Sequence, residues 1–231
     1  RYWSTFEEIG LYSSAFKLIS VLNIFNGAFS LFWVPTAYRW YKEGIDIKKF
    51  ERVGSMLCVF MTFVGFAIIL SRKIIIILLS PEYAKSADII PFLIFIPIMY
   101  SVSEVTVLGI NFSKRTELHI LVSLISLIVN SLSNYILVPR IGAQGAAIAM
   151  GISYISFFWS RTFFAYRVWN KMKLSGYAGN ISILAVFAFS AQIDVFQGVF
   201  QSFILLFWFI INRKLILNIL FVVFKKMQQI G

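Results

Sequence analysis

Three ionisable residues interrupt apolar runs of this sequence: Lys17, Glu104 and Arg161. A charge inside an apolar environment is costly, so such a residue points to a functional site unless the charge is paired or reaches water. Glu104 is consistent with two interpretations, a site residue or a carboxyl group hydrogen-bonded to Ser or Thr for structural reasons. Arg161 is also consistent with two, a cavity residue or a side chain that extends to the membrane interface.

Polar residues recur along the first apolar run. Spacings of three and four residues place Ser13, Lys17, Ser20 and Asn23 near one face of a helix. Lipid would not solvate that face, so it should contact other helices or a wet cavity, and the spacing does not distinguish the two. The candidate residues of a substrate cavity are Lys17, Asn23, Glu104 and Arg161.

Small residues recur four apart between positions 142 and 151. Such a stripe lets two helices approach closely in lipid, and the alternative is a backbone surface along a substrate path. Pro139 favours a helix break just before the stripe. The residues assigned to helix packing are Gly142, Gly145, Ala147, Ala149 and Gly151.

The sequence offers no motif for catalysis or for a cofactor. Cys58 is the single cysteine and His119 the single histidine, and neither has a partner at metal-ligand spacing. A glycine-rich phosphate loop after a strand and the common hydrolase motifs are missing. The sequence therefore predicts a protein that is not an enzyme and has no metal or cofactor.

Composition indicates a membrane protein. Hydrophobic residues make up 59% of the 231 residues and the mean hydropathy is +0.82. Soluble domains are roughly 45–50% apolar, so lipid must cover part of this surface. The formal net charge of +11 would suggest nucleic acid for a soluble protein. In a membrane protein the same excess is typical of cytoplasmic loops, so no nucleic-acid partner is expected.

Apolar runs of ~20 residues predict an all-α, polytopic transmembrane bundle of about seven spans. The last two are short, and a single re-entrant hairpin is the alternative for them. Residues 1–212 would form the helical lobe and residues 213–231 a basic amphipathic tail in the cytoplasmic interface. The predicted spans are 10–38, 53–71, 87–110, 117–138, 144–168, 177–193 and 196–212.

Basic residues divide unevenly between alternating loops, which predicts an outer N-terminus and a cytoplasmic C-terminus. Lys17 lies inside or at the edge of the first span. The larger group of fifteen is Arg39, Lys42, Lys48, Lys49, Arg52, Lys114, Arg115, Arg161, Arg167, Lys171, Lys173, Arg213, Lys214, Lys225 and Lys226. The smaller group of five is Arg1, Arg72, Lys73, Lys85 and Arg140.

Three stretches carry a family resemblance. Residues 8–17 (EIGLYSSAFK) resemble a helix start of the form E-x-G-x-Y-S-x-A-[FY]-K. Residues 109–116 (GINFSKRT) resemble a loop of the form G-I-x-x-S-K-[KR]-T. Residues 134–147 (NYILVPRIGAQGAA) resemble N-Y-x-L-I-P-x-x-G-A-x-G-A-A, the most specific of the three. In order and spacing they are similar to the C-terminal half of Wzx-type O-antigen flippases, polysaccharide exporters of the multidrug/oligosaccharidyl-lipid/polysaccharide superfamily.

The resemblance implies one lobe of a two-lobe transporter of twelve to fourteen helices, with an N-terminal lobe preceding Arg1 as its partner. It implies alternating access and a polyprenyl-pyrophosphate-linked oligosaccharide as substrate. The membrane would be the bacterial inner membrane. Two alternatives remain open: a small-molecule antiporter of the same superfamily, and a membrane-embedded glycan polymerase or ligase.

Overall fold

The computed structural model describes residues 5–79, 81–169, 172–193 and 197–227. It is 90% helical with no strands among the described residues, which confirms the all-α class. A 3-10 helix, Pro81–Asp88, separates α3 from α4. The α-helices are α1 (Phe6–Ser20), α2 (Leu22–Lys42), α3 (Ile47–Leu79), α4 (Ile90–Leu93), α5 (Phe95–Thr106), α6 (Leu108–Phe112), α7 (Glu117–Val168), α8 (Ser175–Ser190) and α9 (Gln197–Met227).

Helices α1 and α2 form one long rod that is interrupted only at Val21. The rod begins at a capping box, in which Thr5 Oγ1 accepts from the Glu8 amide and the Thr5 amide donates to Glu8 Oε2. Its 37 residues extend about 55 Å at 1.5 Å per residue. That exceeds the ~30 Å hydrocarbon core, so the rod must tilt or extend beyond it.

Helices α4, α5 and α6 follow one another along the centre of the bundle. Nearly every side chain from Ile90 to Ile110 is buried, and Tyr100, 40% exposed, is the exception. Helix α5 packs against α2, α3 and α7. A predominantly apolar segment suits this position because other helices surround it.

Helix α7 folds back on itself at Ile141 and Gly142, whose backbone angles are not helical. Ser153 Oγ donates to the Ser126 carbonyl over 2.9 Å, whereas a straight helix would separate these residues by roughly 40 Å. Two antiparallel arms, 117–140 and 143–168, result. The sequence predicts a break just before the stripe, and the structure has it at Ile141 and Gly142, where the stripe begins.

Aromatic side chains join three loops at one end of the bundle, here called the basic end. Tyr41 stacks on Phe112 with ring centroids 4.1 Å apart, and Trp169 lies 5.0 Å from Phe112 and 5.5 Å from Phe50. These rings place the basic loops that follow α2, α6 and α7 side by side. The three loops therefore share one end, as the alternation of basic residues requires.

Four helical stretches have the length and apolar composition to cross a membrane: Phe6–Lys42, Ile47–Ile77, Glu117–Val168 and Gly198–Asn218. Two shorter apolar stretches, Ile90–Thr106 and Ser175–Ser190, lie between them. The count of about seven spans is not confirmed and stays a prediction.

Helix α9 continues without interruption past residue 212, where the interfacial tail was predicted to begin. Helix geometry alone therefore does not mark that boundary. The location of the tail in the interface stays a prediction, and residues 228–231 lie outside the described residues.

Candidate functional site

Glu104 and Arg161 form an ion pair inside the bundle. Arg161 Nη1 lies 3.0 Å from Glu104 Oε1, and each residue is only 9% exposed. The same Nη1 donates to Ser103 Oγ over 2.6 Å. The Arg161 side chain is therefore held inside the bundle, and Glu104 is paired with a charge as well as hydrogen-bonded to Ser30 Oγ over 3.4 Å.

Neighbouring contacts hold the helices that carry this pair. Trp33 Nε1 on α2 donates to the Glu104 carbonyl oxygen over 3.2 Å. Beside the pair, the Thr106 and Thr162 hydroxyls lie 2.7 Å apart and join α5 to α7. Helices α2, α5 and α7 are thereby fixed around the two charges.

A column of polar residues on α2 leads to the pair and includes Asn23. Asn26 Nδ2 lies 3.5 Å from Asn23 Oδ1 and 3.5 Å from the Pro97 carbonyl, and Ser101 Oγ donates to Asn26 Oδ1. Residues 23, 26 and 30 share one face of α2 because they are three and four apart. That face meets α5. Asn23 is exposed and is therefore the outermost member of the column.

Lys17 lies apart from this column. It is exposed, whereas Ala15 and Ile19 of the same helix are buried. Residues two apart on a helix point in nearly opposite directions, so Lys17 faces away from the bundle. It is also roughly 20 Å along the rod from Ser30. The structure thus groups Glu104, Arg161 and Asn23, but not Lys17.

A cleft of about 340 Å³ opens between α5 and the two arms of α7. Two residues of its wall, Tyr100 and Phe157, lie against Arg161. Their ring centroids are 5.7 and 5.3 Å from its guanidinium carbon. Arg161 Nε has no hydrogen-bond partner among the described residues. The residues that line the cleft are Tyr100, Ser123, Ser126, Leu127, Asn130, Met150, Ser153, Tyr154 and Phe157.

Hydroxyl and amide groups dominate the polar part of this wall. Ser126 Oγ donates to the Val122 carbonyl and Ser153 Oγ to the Ser126 carbonyl, so both oxygens keep capacity to accept hydrogen bonds. Tyr100 and Tyr154 add aromatic surfaces. The cleft therefore offers hydrogen-bonding groups for an uncharged polar ligand beside a buried cation.

The small-residue stripe lies where backbones approach. A Cβ at Gly145 would meet the Leu137 carbonyl oxygen at 2.6 Å, and one at Gly151 would meet that of Phe92 at 3.0 Å. Ala147 and Ala149 are fully buried. The stripe packs against the other arm of α7 and against α4.

Gly142 has a different role from the rest of the stripe. Its φ of +52° lies in the left-handed region, and the Glu8 carboxylate occupies the place of a Cβ. Glycine is needed there for the reversal of α7 and for contact with the start of α1.

Several polar contacts inside the bundle could not be predicted from the sequence. Asn180 Oδ1 accepts from Trp208 Nε1 over 2.6 Å and from Asn212 Nδ2 over 3.2 Å, which joins α8 to α9. Nothing in the sequence marks Ser103 and Thr162 as members of the site, except that each is next to a charged residue. Polar residues in an apolar run are common enough that their type alone does not identify a network.

The described residues contain no group of three or more His, Cys, Asp and Glu side chains that could hold a metal ion. His119 Nε2 lies 3.0 Å from Asn111 Oδ1, and Cys58 is buried. In comparisons with known proteins, no family model, no curated protein and no solved structure matches this chain. The resemblance to the O-antigen flippases stays a prediction.

Proposed function

We propose that this chain is one lobe of a transporter that moves a polyprenyl-pyrophosphate-linked oligosaccharide across the bacterial inner membrane. The observation that carries the proposal is the buried Arg161 beside a hydroxyl-lined cleft. A lipid-linked sugar combines an anionic phosphate with uncharged polar hydroxyls. The cleft and the cation supply complementary groups for those two parts, and the three motifs of the family support the same substrate class.

The ion pair fits a transport cycle with two states. With Glu104 bound to Arg161, the cation is neutralised and Tyr100 and Phe157 cover it. Substrate phosphate oxygens would replace the Glu104 carboxylate in the second state. Such an exchange keeps the buried guanidinium paired throughout, and the released Glu104 carboxylate would then have to take up a proton or reach water.

The orientation proposed for the lobe places the basic end in the cytoplasm. The loops after α2, α6 and α7, with the helix ends beside them, hold ten of the 21 Lys and Arg residues, against five in the smaller group. Cytoplasmic loops of membrane proteins carry such an excess. Substrate would enter from the cytoplasmic side, on which lipid-linked sugars are assembled. Helix 117–140, largely exposed in this lobe, would contribute one wall of the path.

Glycan export in cells that lack the natural gene tests the proposal. Two variants of the full-length protein are needed, Arg161→Lys and the double variant Glu104→Gln/Arg161→Met. We expect partial export with Lys, because charge survives, and none with the double variant, which keeps both side chains neutral and so avoids an unpaired buried charge. Arg39→Gln, which changes an exposed arginine in the last turn of α2 outside the three motifs, is the matched control. Normal export by the double variant at normal membrane abundance would contradict the proposal.

A further inference from the structure

A second cavity, of about 420 Å³, lies at the basic end and outside the site described above. Trp159, Phe163, Tyr166 and Arg167 line it from the C-terminal arm of α7, and Leu174 closes it from the start of α8. Spacings of four put Trp159, Phe163 and Arg167 on one helical face. The cavity is therefore an aromatic pocket with one guanidinium at its edge.

Arg167 is the charged group of this pocket. Its guanidinium carbon lies 5.0 Å from the centroid of the Phe163 ring, and the side chain is exposed. It forms no salt bridge with any described residue. An arginine held over an aromatic ring and free of a carboxylate partner keeps its donors available to an anion.

The surroundings of the pocket favour an amphiphilic anion. Phe163 is 50% exposed, and the same face of α7 continues to Ile152, 41% exposed, toward the apolar middle of the helix. Trp and Tyr side chains are typical of the level of lipid headgroups. A basic pocket between helices at that level is suited to an anionic headgroup, with acyl chains along the apolar face.

We propose that this pocket binds one anionic phospholipid of the leaflet that faces the basic end. The Arg167 guanidinium donates to the phosphate oxygens, and the acyl chains lie along Phe163 and Ile152. The proposal does not depend on the transport of glycans. It requires only that the helices lie in a bilayer.

Native mass spectrometry of the full chain in mild detergent tests the proposal. Phosphatidylglycerol is the probe, phosphatidylcholine the uncharged comparison, and inorganic phosphate the competitor. We expect Arg167→Gln to lower phosphatidylglycerol affinity at least about tenfold, because hydrogen bonds to a charged group are lost. Arg115→Gln, the matched exposed arginine, should leave it unchanged, and Arg167→Lys should retain part of it.

Three outcomes would overturn the lipid site. One is equal occupancy by phosphatidylcholine, which would show that the negative charge of the lipid has no role in binding. Another is an equal loss in the Arg115 and Arg167 variants, which would indicate general attraction to a basic surface. The third is displacement of the lipid by millimolar inorganic phosphate, which would indicate a site for free anions. An unchanged melting temperature of the Arg167 variant separates loss of binding from loss of folding.

Discussion

At the scale of single residues, Arg161 and Glu104 depend on each other for burial. Arg161→Met leaves the Glu104 carboxylate without its ion-pair partner, although Ser30 still donates to it. We expect the free energy of unfolding to fall by roughly 3–5 kcal/mol, as for other buried pairs that lose one partner. The measurement is denaturant or thermal unfolding in detergent.

The double variant Glu104→Gln/Arg161→Met is the control for that prediction. Removing both charges should restore most of the lost stability, because no unpaired charge remains buried. Equal stability of Arg161→Met and the original protein would show that the pair contributes nothing to folding. A double variant as unstable as the single one would show that packing, and not charge, is responsible.

Variants of Lys17 test whether this residue belongs to the substrate cavity, and they do so without affecting folding. Its side chain is exposed, so Lys17→Ala should leave membrane abundance unchanged. If Lys17 attracts substrate phosphate from the face toward a second lobe, Lys17→Ala abolishes glycan export and Lys17→Arg retains part of it. Normal export by the Ala variant would remove Lys17 from the site.

The sequence identifies the two charged candidates, Glu104 and Arg161, one by one but does not predict their pairing. A charge in an apolar run is visible without any structure, which is why both residues can be selected as candidates. Their contact joins residues 57 positions apart on separate helices. It depends on how α5 and α7 are rotated about their axes, and that rotation follows from packing with several helices at once. Lys17 shows the same limit, because burial of Ala15 and Ile19 turns it outward.

At the scale of elements, glycines where backbones approach govern helix packing. Gly145→Leu and Gly109→Leu should each lower the free energy of unfolding by about 1–3 kcal/mol, because the side chain forces two helices apart. At Gly109 a Cβ would meet the Ala165 carbonyl oxygen and, at 2.8 Å, Trp169 Cβ. Thermal unfolding and yield are the measurements.

Gly198→Leu is the matched control for these two variants. Gly198 lies in α9, and no described residue beyond its own helical turn comes within 4 Å of the place of its Cβ, so leucine should be tolerated. Unchanged stability of the Gly145 and Gly109 variants would mean that the close approaches are not maintained in the membrane. A loss in the Gly198 variant of the same size would attribute the effect to glycine itself and not to packing.

The all-α class could be predicted from apolar runs, but only some of the helix boundaries could. The break in α7 lies near the predicted one because Pro139 and Gly142 are strong local signals. Residue 212 marks no boundary in α9, because Arg213 and Lys214 are compatible with a helix. At this point the sequence changes from apolar to basic residues, but these basic residues favour a helix as much as the apolar ones do.

At the scale of the whole molecule, the bundle has two chemically distinct ends, and cysteine labelling tests their orientation. In a Cys58→Ala background, Lys85→Cys should react with an impermeant reagent from outside, whereas Lys49→Cys should react only after permeabilisation. Both positions are exposed, so access and not burial decides the result. Labelling of Lys49→Cys from outside would reverse the orientation.

The folded-back helix α7 also bears on how the chain is made. The arms are joined by contacts local in sequence: Asn130 with Met150, 20 residues apart, and Ser126 with Ser153, 27 apart. Closing so short a loop costs little chain entropy. We expect this pair to assemble during synthesis, before α8 and α9 have left the ribosome, so that later helices meet a surface already formed. A nascent chain long enough for residue 168 to have left the ribosome would then already contain the Ser126–Ser153 contact, and its hydroxyl-lined cleft would be shaped before the later helices emerge.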